Sequence, residues 1–366
     1  MHDGDLLIVK GHEVDELLTG RELQLMQTVR EAYETHHAGQ SSLPHSTSLR
    51  FSHNDRNRII ALPAYLGGDF EVAGLKWISS FPENLNRGLE RASAVMVLNS
   101  TSTGRPETIL EGSLISAKRT AASAILAART LTIGQEISTV GLVGAGLINF
   151  EVVRFLVASC AELSTLRVFD LDLSRATQFQ NKCHETFDRV KVEVVRDIKD
   201  AFRNSSLISL ATTATTPHID DLSHCDPGTV ILHISLRDLS PEVIFACDNI
   251  VDDVDHVCCA NTSVHLAEQL VGNRDFIRCS LAEILRGDAG ARRDEDSIAI
   301  FSPFGLGVLD LAVGTLVRDL AIANRVGTTL NSFMRETWVS SKLFTTHQRN
   351  SNDSQTCSFS NGPRSG

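Results

Sequence analysis

The chain has no stretch approaching the ~18 consecutive apolar residues of a membrane-spanning helix, which argues against a helical membrane protein. It also lacks a basic cluster. Its 34 Lys and Arg against 45 Asp and Glu leave a net charge of −11, so neither nucleic acid nor an anionic membrane surface is expected as a partner. The eight cysteines are scattered without a CxxC pair. Adjacent Cys258 and Cys259 do not have zinc-ligand spacing, so no metal is expected and reduced thiols in a cytoplasmic protein are the plain expectation. The N-terminal MHDGDLLIVKG carries acids where a secretory leader carries lysines, and no apolar core of useful length follows it. No internal repeat is visible.

What is present is an ordinary globular composition, 42% hydrophobic over 366 residues, long enough for two domains. The chain is organised around Ile137–Asp170. Ile137–Val143 is a short β-branched apolar run that Gly144-Ala145-Gly146 breaks. From Leu147 to Cys160, apolar residues recur at helical spacing, and a second run, Leu166–Phe169, ends in Asp170. Strand, glycine turn, helix, strand and acid follow the order of a dinucleotide-binding βαβ unit. Gly144 allows the tight turn. Gly146 lets backbone N–H groups approach a pyrophosphate, which the free N–H groups of Leu147 and Ile148 at the helix start would also meet. Asp170, roughly 20 residues past the turn, is placed to accept bonds from a ribose. Asn149 replaces the usual third glycine or alanine, and its bulk is expected to push helix and strand slightly apart.

Around this unit the pattern divides in two. Glu13–Ala38 reads as one or two amphipathic helices. Ser46–Phe51, Arg58–Leu62, Val72–Ser79, Ala94–Asn99 and Thr108–Glu111 read as strands, with a hairpin turn at Ser100–Arg105. Leu114–Leu131 is an alanine-rich helix crossing into the nucleotide half. Beyond Asp170, α/β alternation continues through strands at 190–195, 207–212, 230–234 and 249–254. The expectation is an α/β fold, a doubly wound parallel sheet of about six strands inserted into an α+β domain. The parts are residues 1–131 plus 308–330 for substrate and dimerisation, and 132–307 for the nucleotide. Helix 308–326 returns to the first domain. From Asn331 onward the sequence is polar and of low complexity, and a disordered tail without function is expected over 331–366.

A nucleotide half implies hydride transfer, which leaves substrate binding and proton handling to other residues. Lys76 lies in GLKWISSFP, mid-strand among apolar neighbours; it is either a snorkelling lysine or a partly desolvated one with a depressed pKa. Arg119, in SAKRTAAS, is either a surface ion-pair partner or a bidentate carboxylate clamp. Asp238 follows the fifth strand in LHISLRD, where such folds place active-site groups, although capping helix 241–246 explains it equally well. His233 reads as a packed strand residue. Arg50 and Arg91 are plausible anion binders.

Taken together, GLKWISSFPENLNRG, LEGSLISAKRTAASAILAARTL, GLVGAGLI, LHISLRD and SPFGLGVLDLA occur in the order and spacing of the ornithine cyclodeaminase/μ-crystallin family, which the chain resembles from about Leu6 to Leu330. The resemblance implies a Rossmann domain inserted into a substrate and dimerisation domain, and a homodimer. It implies that Lys76 and Asp238 are catalytic, and that Arg50, Lys76, Arg91, Arg119 and Phe304 meet the substrate. Arg119, Thr120, Ser123, Gly144, Gly146, Leu147, Ile148, Asp170, Thr212 and Ser235 are implied to meet the cofactor. RGLERASAVMVLN, RIIALPAYLGG and DEDSIAIFSPFG resemble the family's siderophore-pathway branch. Its reaction is NAD-dependent oxidation of N-(2-amino-2-carboxyethyl)-L-glutamate, which yields 2-oxoglutarate and L-2,3-diaminopropionate; Arg91 would add a cation for a third carboxylate. Alternatives on the same scaffold are ornithine cyclodeaminase, ketimine reductase or alanine dehydrogenase, and a μ-crystallin-like ligand-binding protein. Asp170 would repel a 2′-phosphate, which favours NAD over NADP, although Arg175 lies close by.

Overall fold

The computed structural model describes residues 4–132 and 134–334. The first part of the chain forms β1 (Leu6–Val9), α1 (Gly11–Leu18), α2 (Glu22–His37), β2 (Ser41–Ser42), β3 (Thr47–Phe51), β4 (Asn54–Leu66), β5 (Val72–Ser80), β6 (Ala92–Ser100), β7 (Pro106–Glu111) and α3 (Ser113–Leu131). The second part forms β8 (Thr139–Val143), α4 (Leu147–Ser159), β9 (Thr165–Phe169), α5 (Leu173–Thr186), β10 (Lys191–Val194), α6 (Ile198–Phe202), β11 (Leu207–Leu210) and β12 (Val230–His233). It continues with α7 (Pro241–Ala246), β13 (Asp248–Val251), α8 (Val254–Val257), α9 (Ser263–Val271), β14 (Ile277–Ser280), α10 (Leu281–Arg286) and β15 (Ala299–Ser302). Finally, α11 (Gly307–Asn324) and β16 (Thr328–Leu330) return to the first sheet.

That first sheet runs β16-β1-β7-β6-β5-β4-β2, with β3 alongside β4. Side chains alternate across it, as period two requires. Val72 and Lys76 of β5 point to the buried face, where α11 lies, while Trp77 is 40% exposed on the other. Pro63 lacks an N–H to share, and it falls in the gap where β3 pairing with β4 has ended and β2 pairing has not begun. On the outer face Leu49, Trp77 and Val95 are all exposed, on neighbouring strands.

The second sheet is wholly parallel, in the order β10-β9-β8-β11-β12-β15-β13-β14. It has eight strands rather than the six expected. The additions are β14 (IRCS) and β15 (AIFS), runs of four residues too short to show a period. Because β15 inserts between β12 and β13, all its residues are buried, as are those of β11, β12 and β13. Helices on both faces explain these unbroken apolar runs.

Helix α3 joins the two sheets. Its alanines and Ile115, Ile125 and Leu131 are buried, and small side chains let it pack closely against α2, α4 and α11. Buried Lys118 lies 3.5 Å from Glu151 of α4 and 3.4 Å from Asp15 of α1, pinning α3 on both sides. The segment expected to be disordered lies, from residue 335 on, outside the described residues. Its first four residues depart from that expectation. They form a turn in which the Ser332 N–H donates to Asp5 Oδ1 at 3.1 Å and the Met334 N–H to Gly4 O at 3.1 Å. No helix of the described residues is long and apolar enough to cross a membrane.

Candidate active site

The carboxyl ends of the parallel strands form one rim, and the glycine turn sits on it after β8, third in the strand order. Gly144 has φ +96°, and a Cβ there would stand 2.4 Å from Ala211 O, so only glycine fits. Around Gly146 the space that a Cβ would fill is open, and no side chain caps α4. With no acid in its first turn either, the positive end of α4 is left to an incoming anion. Asp170 closes the neighbouring strand. Its carboxylate accepts from the Ala145 N–H at 2.7 Å and the Asp172 N–H at 2.9 Å, which fixes it beside the turn. These residues fit a dinucleotide.

The bulk of Asn149 is taken up inside the turn. The residue is fully buried, donating from Nδ2 to Val143 O at 3.0 Å and Gly144 O at 2.7 Å and accepting from Ser209 Oγ at 2.7 Å. The larger side chain therefore ties the turn to α4 and β11.

Asp238 lies past β12 and is fully buried. Helix α7 is capped by Ser240, not by Asp238, so the capping role is excluded. The carboxylate instead accepts from Thr212 Oγ1 and Ser235 Oγ, with His218 Nε2 at 3.2 Å and His233 Nε2 at 3.4 Å. Burial alone would raise its pKa, but hydrogen bonding and charge from His233, with the Ser235 and Thr212 hydroxyls, hold it well below the usual carboxylate range. His233 is the packed residue expected, and its packing supports the acid. The loop carrying Asp238 holds Leu236 at φ +67°, an uncommon conformation for a bulky residue. The Ser263 N–H donates to Leu236 O at 2.7 Å and secures it.

Opposite this rim, Lys76 of β5 and Arg119 of α3 share one carboxylate, Asp310 of α11. Lys76 Nζ lies 2.6 Å from Asp310 Oδ2, and Arg119 Nε donates to Oδ1 at 2.8 Å. All three side chains are buried, so Lys76 does not snorkel and Arg119 is no surface ion pair. Burial, together with the Arg119 charge, lowers the Lys76 pKa to about 8, although Asp310 opposes the shift. Burial pushes Asp310 up, but Arg119 and Lys76 outweigh it and leave the carboxyl below its ordinary value.

The Nη1–Nη2 edge of Arg119 faces Gly305, where a Cβ would come within 2.9 Å of Nη1 and 3.1 Å of Nη2. Gly305 and Phe304 follow β15, and their N–H groups donate to Asp252 at 2.7 and 2.9 Å. The Lys76–Asp310–Arg119 group thus abuts the strand-end rim next to Asp238's strand.

Ser123 is buried and bonded to the Tyr33 hydroxyl at 2.7 Å, and Thr120 donates to Ser116 O at 2.7 Å within its own helix. Arg91 Nη1 donates to Ser80 Oγ at 2.9 Å, and Arg50 is exposed on β3. The sequence reading missed Asp310, although a lone acid in the apolar helical run GVLDLAVGTLV was a signal, because a buried charge requires a partner.

A parallel strand-end rim with a glycine turn, an acid closing the next strand and a buried carboxylate beside it defines an α/β protein with a Rossmann-type dinucleotide-binding half. The family is set by the chain as a whole: residues 6–325 match the ornithine cyclodeaminase/mu-crystallin family, and the protein belongs to it. The N-((2S)-2-amino-2-carboxyethyl)-L-glutamate dehydrogenase of Staphylococcus aureus is 28% identical over 282 residues, covering 76% of this chain and 83% of that one. An alanine dehydrogenase of Archaeoglobus fulgidus is 27% identical over 335 residues, 90% of this chain and 99% of the other. The solved structure of Thermococcus litoralis Delta(1)-pyrroline-2-carboxylate reductase in complex with NADH and L-proline shares the fold. It matches with a TM-score of 0.81 at 23% identity, covering 88% of this chain and 99% of that one.

Proposed function

We propose that the protein is an NAD-dependent oxidoreductase acting on the CH–NH bond of an amino acid, and that it cleaves N-(2-amino-2-carboxyethyl)-L-glutamate to L-2,3-diaminopropionate and 2-oxoglutarate. The observation that carries the chemistry is the meeting of a buried Lys76–Asp310–Arg119 group with the strand-end rim that holds Asp238. The similarity to the S. aureus dehydrogenase supports the particular substrate. In this reading residues 132–307 hold NAD and residues 1–131 with 308–330 bind the substrate. The exposed apolar face formed by Leu49, Trp77 and Val95 supports a homodimer.

NAD would be held by Gly144–Ile148 at its pyrophosphate and by Asp170 at its ribose, and would supply a hydride acceptor. The remaining work falls to the chain. Arg119, held by Asp310 through Nε, keeps its outer nitrogens for the substrate's α-carboxylate; this fixes the approach of the reacting carbon, with Phe304 beside it. Asp238 takes the proton released as the secondary amine becomes an imine. Water then adds to the imine carbon, Lys76 orients it, and the C–N bond breaks to give the ketone of 2-oxoglutarate and the free amine.

The test is NADH formation from N-(2-amino-2-carboxyethyl)-L-glutamate, with alanine and ornithine run in parallel and products weighed by mass spectrometry. Equimolar 2-oxoglutarate and 2,3-diaminopropionate are expected. Turnover of alanine alone would make it an alanine dehydrogenase, the reading favoured by the longer match to the A. fulgidus enzyme. Proline and ammonia from ornithine, without net NADH, would make it a cyclodeaminase.

A further inference from the structure

The first sheet carries a row of like charges with no counter-charge among the described side chains. Arg50 of β3 is directly paired with Arg58 of β4, Arg58 with Ser80 of β5, and Ser80 with Ala92 of β6. Directly paired residues share one face, and Ser80, an even number of positions along β5 from Lys76, shares the Lys76 face. Arg91, next to Ala92, reaches back to Ser80 Oγ. Like charges directly opposite one another are destabilising, so the row needs a reason.

Two further observations point to a ligand. Arg58 Nε is a buried donor with no partner, which carries a desolvation cost until an acceptor arrives. Arg237 approaches from the Asp238 loop, where it donates from Nη2 to Ala260 O at 2.7 Å, so the loop that holds Leu236 at positive φ also aims this cation. Among the side chains described, no carboxylate lies within ion-pair distance of Arg50, Arg58, Arg91 or Arg237. Burial lowers the Arg58 pKa, and the charges of Arg237, Arg91 and Arg50 lower it further, in that order; a bound anion would offset those three charges.

We propose that Arg58, flanked by Arg50 and Arg91 on the sheet and faced by Arg237 from the acid loop, holds a substrate carboxylate remote from the reacting carbon. Arg58 and Arg237 are then specificity residues, and the substrate class is an amino acid with more than one carboxylate. A planar guanidinium matches that group in two bonds at once. The proposal rests on the reading that this cleft binds an amino acid, and assigns the residues that hold its far carboxylate. Arg119 serves the α-carboxylate, while the row serves the far end.

Calorimetry on the full chain loaded with NADH tests this without any turnover. The probes are propane-1,2,3-tricarboxylate, propionate and inorganic phosphate. The tricarboxylate is expected to bind at least tenfold more tightly than propionate. Arg58→Gln and Arg237→Gln should each weaken it about 10- to 100-fold, the size of a lost charge-assisted bond, and Arg58→Lys should recover part of that loss. Equal affinity for tricarboxylate and propionate, or an unaltered Arg58→Gln, overturns the proposal. Phosphate binding as tightly as the tricarboxylate overturns the assignment to carboxylates. Should Arg58→Gln not fold, the wild-type comparison and Arg237→Gln still decide. If the row binds the tricarboxylate but N-(2-amino-2-carboxyethyl)-L-glutamate is not oxidised, the named reaction fails while the subsite stands.

Discussion

Lys76 and Asp310 meet at 2.6 Å with neither side chain more than 3% exposed, although one belongs to the first sheet and the other to the last long helix. The second oxygen of Asp310 takes Arg119, so a single carboxylate is the counter-charge for two buried cations and leaves the group one positive charge in excess.

Asp310→Asn keeps the shape and removes the charge. Two cations are then left in a dry site, and stability should fall by about 3–5 kcal/mol, the range for breaking a buried ion pair by removing one partner. Urea unfolding of the variant beside wild type measures it. A loss below about 1 kcal/mol would mean that water reaches the pair.

Lys76 has a folded pKa of about 8 against an ordinary value of 10.5. Between those values the unfolded chain binds more protons than the folded one, so this group makes stability rise with pH from about 8 to 10.5. Below that window both states are protonated and the penalty is fully present. Stability of wild type relative to Lys76→Met should therefore climb as pH is raised from 8 to 10; a flat difference contradicts the shift. Asp310→Asn removes the charge that props the Lys76 pKa up, and should move any limb near pH 8 in the rate profile to lower pH.

Asp238→Asn removes the carboxylate proposed to accept the proton and leaves its hydroxyl partners in place. Turnover should fall by about 10²- to 10⁴-fold, the usual contribution of a positioned acid or base. NAD affinity, followed by fluorescence titration of NADH, should stay near wild type because Asp170 and the glycine turn are untouched. Near-normal turnover would remove Asp238 from the proton-transfer step.

Asn149→Ala strips partners from Val143 O, Gly144 O and the Ser209 hydroxyl at once. A cost of about 1–3 kcal/mol is expected from the buried groups left unsatisfied, together with weaker NADH binding as the turn loosens. Chemical denaturation and the same titration check both. A variant as stable as wild type would show that the tie is ornamental.

The nucleotide half was legible because its signals are local: a β-branched run, a glycine turn, a helical period and an acid lie within one continuous stretch, and the structure keeps their order. Strands β14 and β15 were not legible, since runs of four residues carry no period by which to tell them from a loop. The site was half legible. Lys76, Arg119 and Asp238 stood out as charges in apolar or strand-end settings. What they touch did not, because Asp310 comes from a helix distant in sequence, and His218 and Thr212 meet Asp238 only through the folding of separate loops. Arg58 escaped notice for a similar reason. Its meaning comes from Arg50 and Arg237, and a row across a sheet cannot be seen along one strand.

Asp310 also sets the order in which the protein becomes competent. The ribosome delivers Lys76 and Arg119 early and the glycine turn soon after, whereas their shared counter-charge emerges close to the end of the described chain. Until then two cations have no anion to hold them in the interior. A chain cut short before α11 is therefore expected to leave Lys76 and Arg119 without their counter-charge and to lose activity on an amino acid.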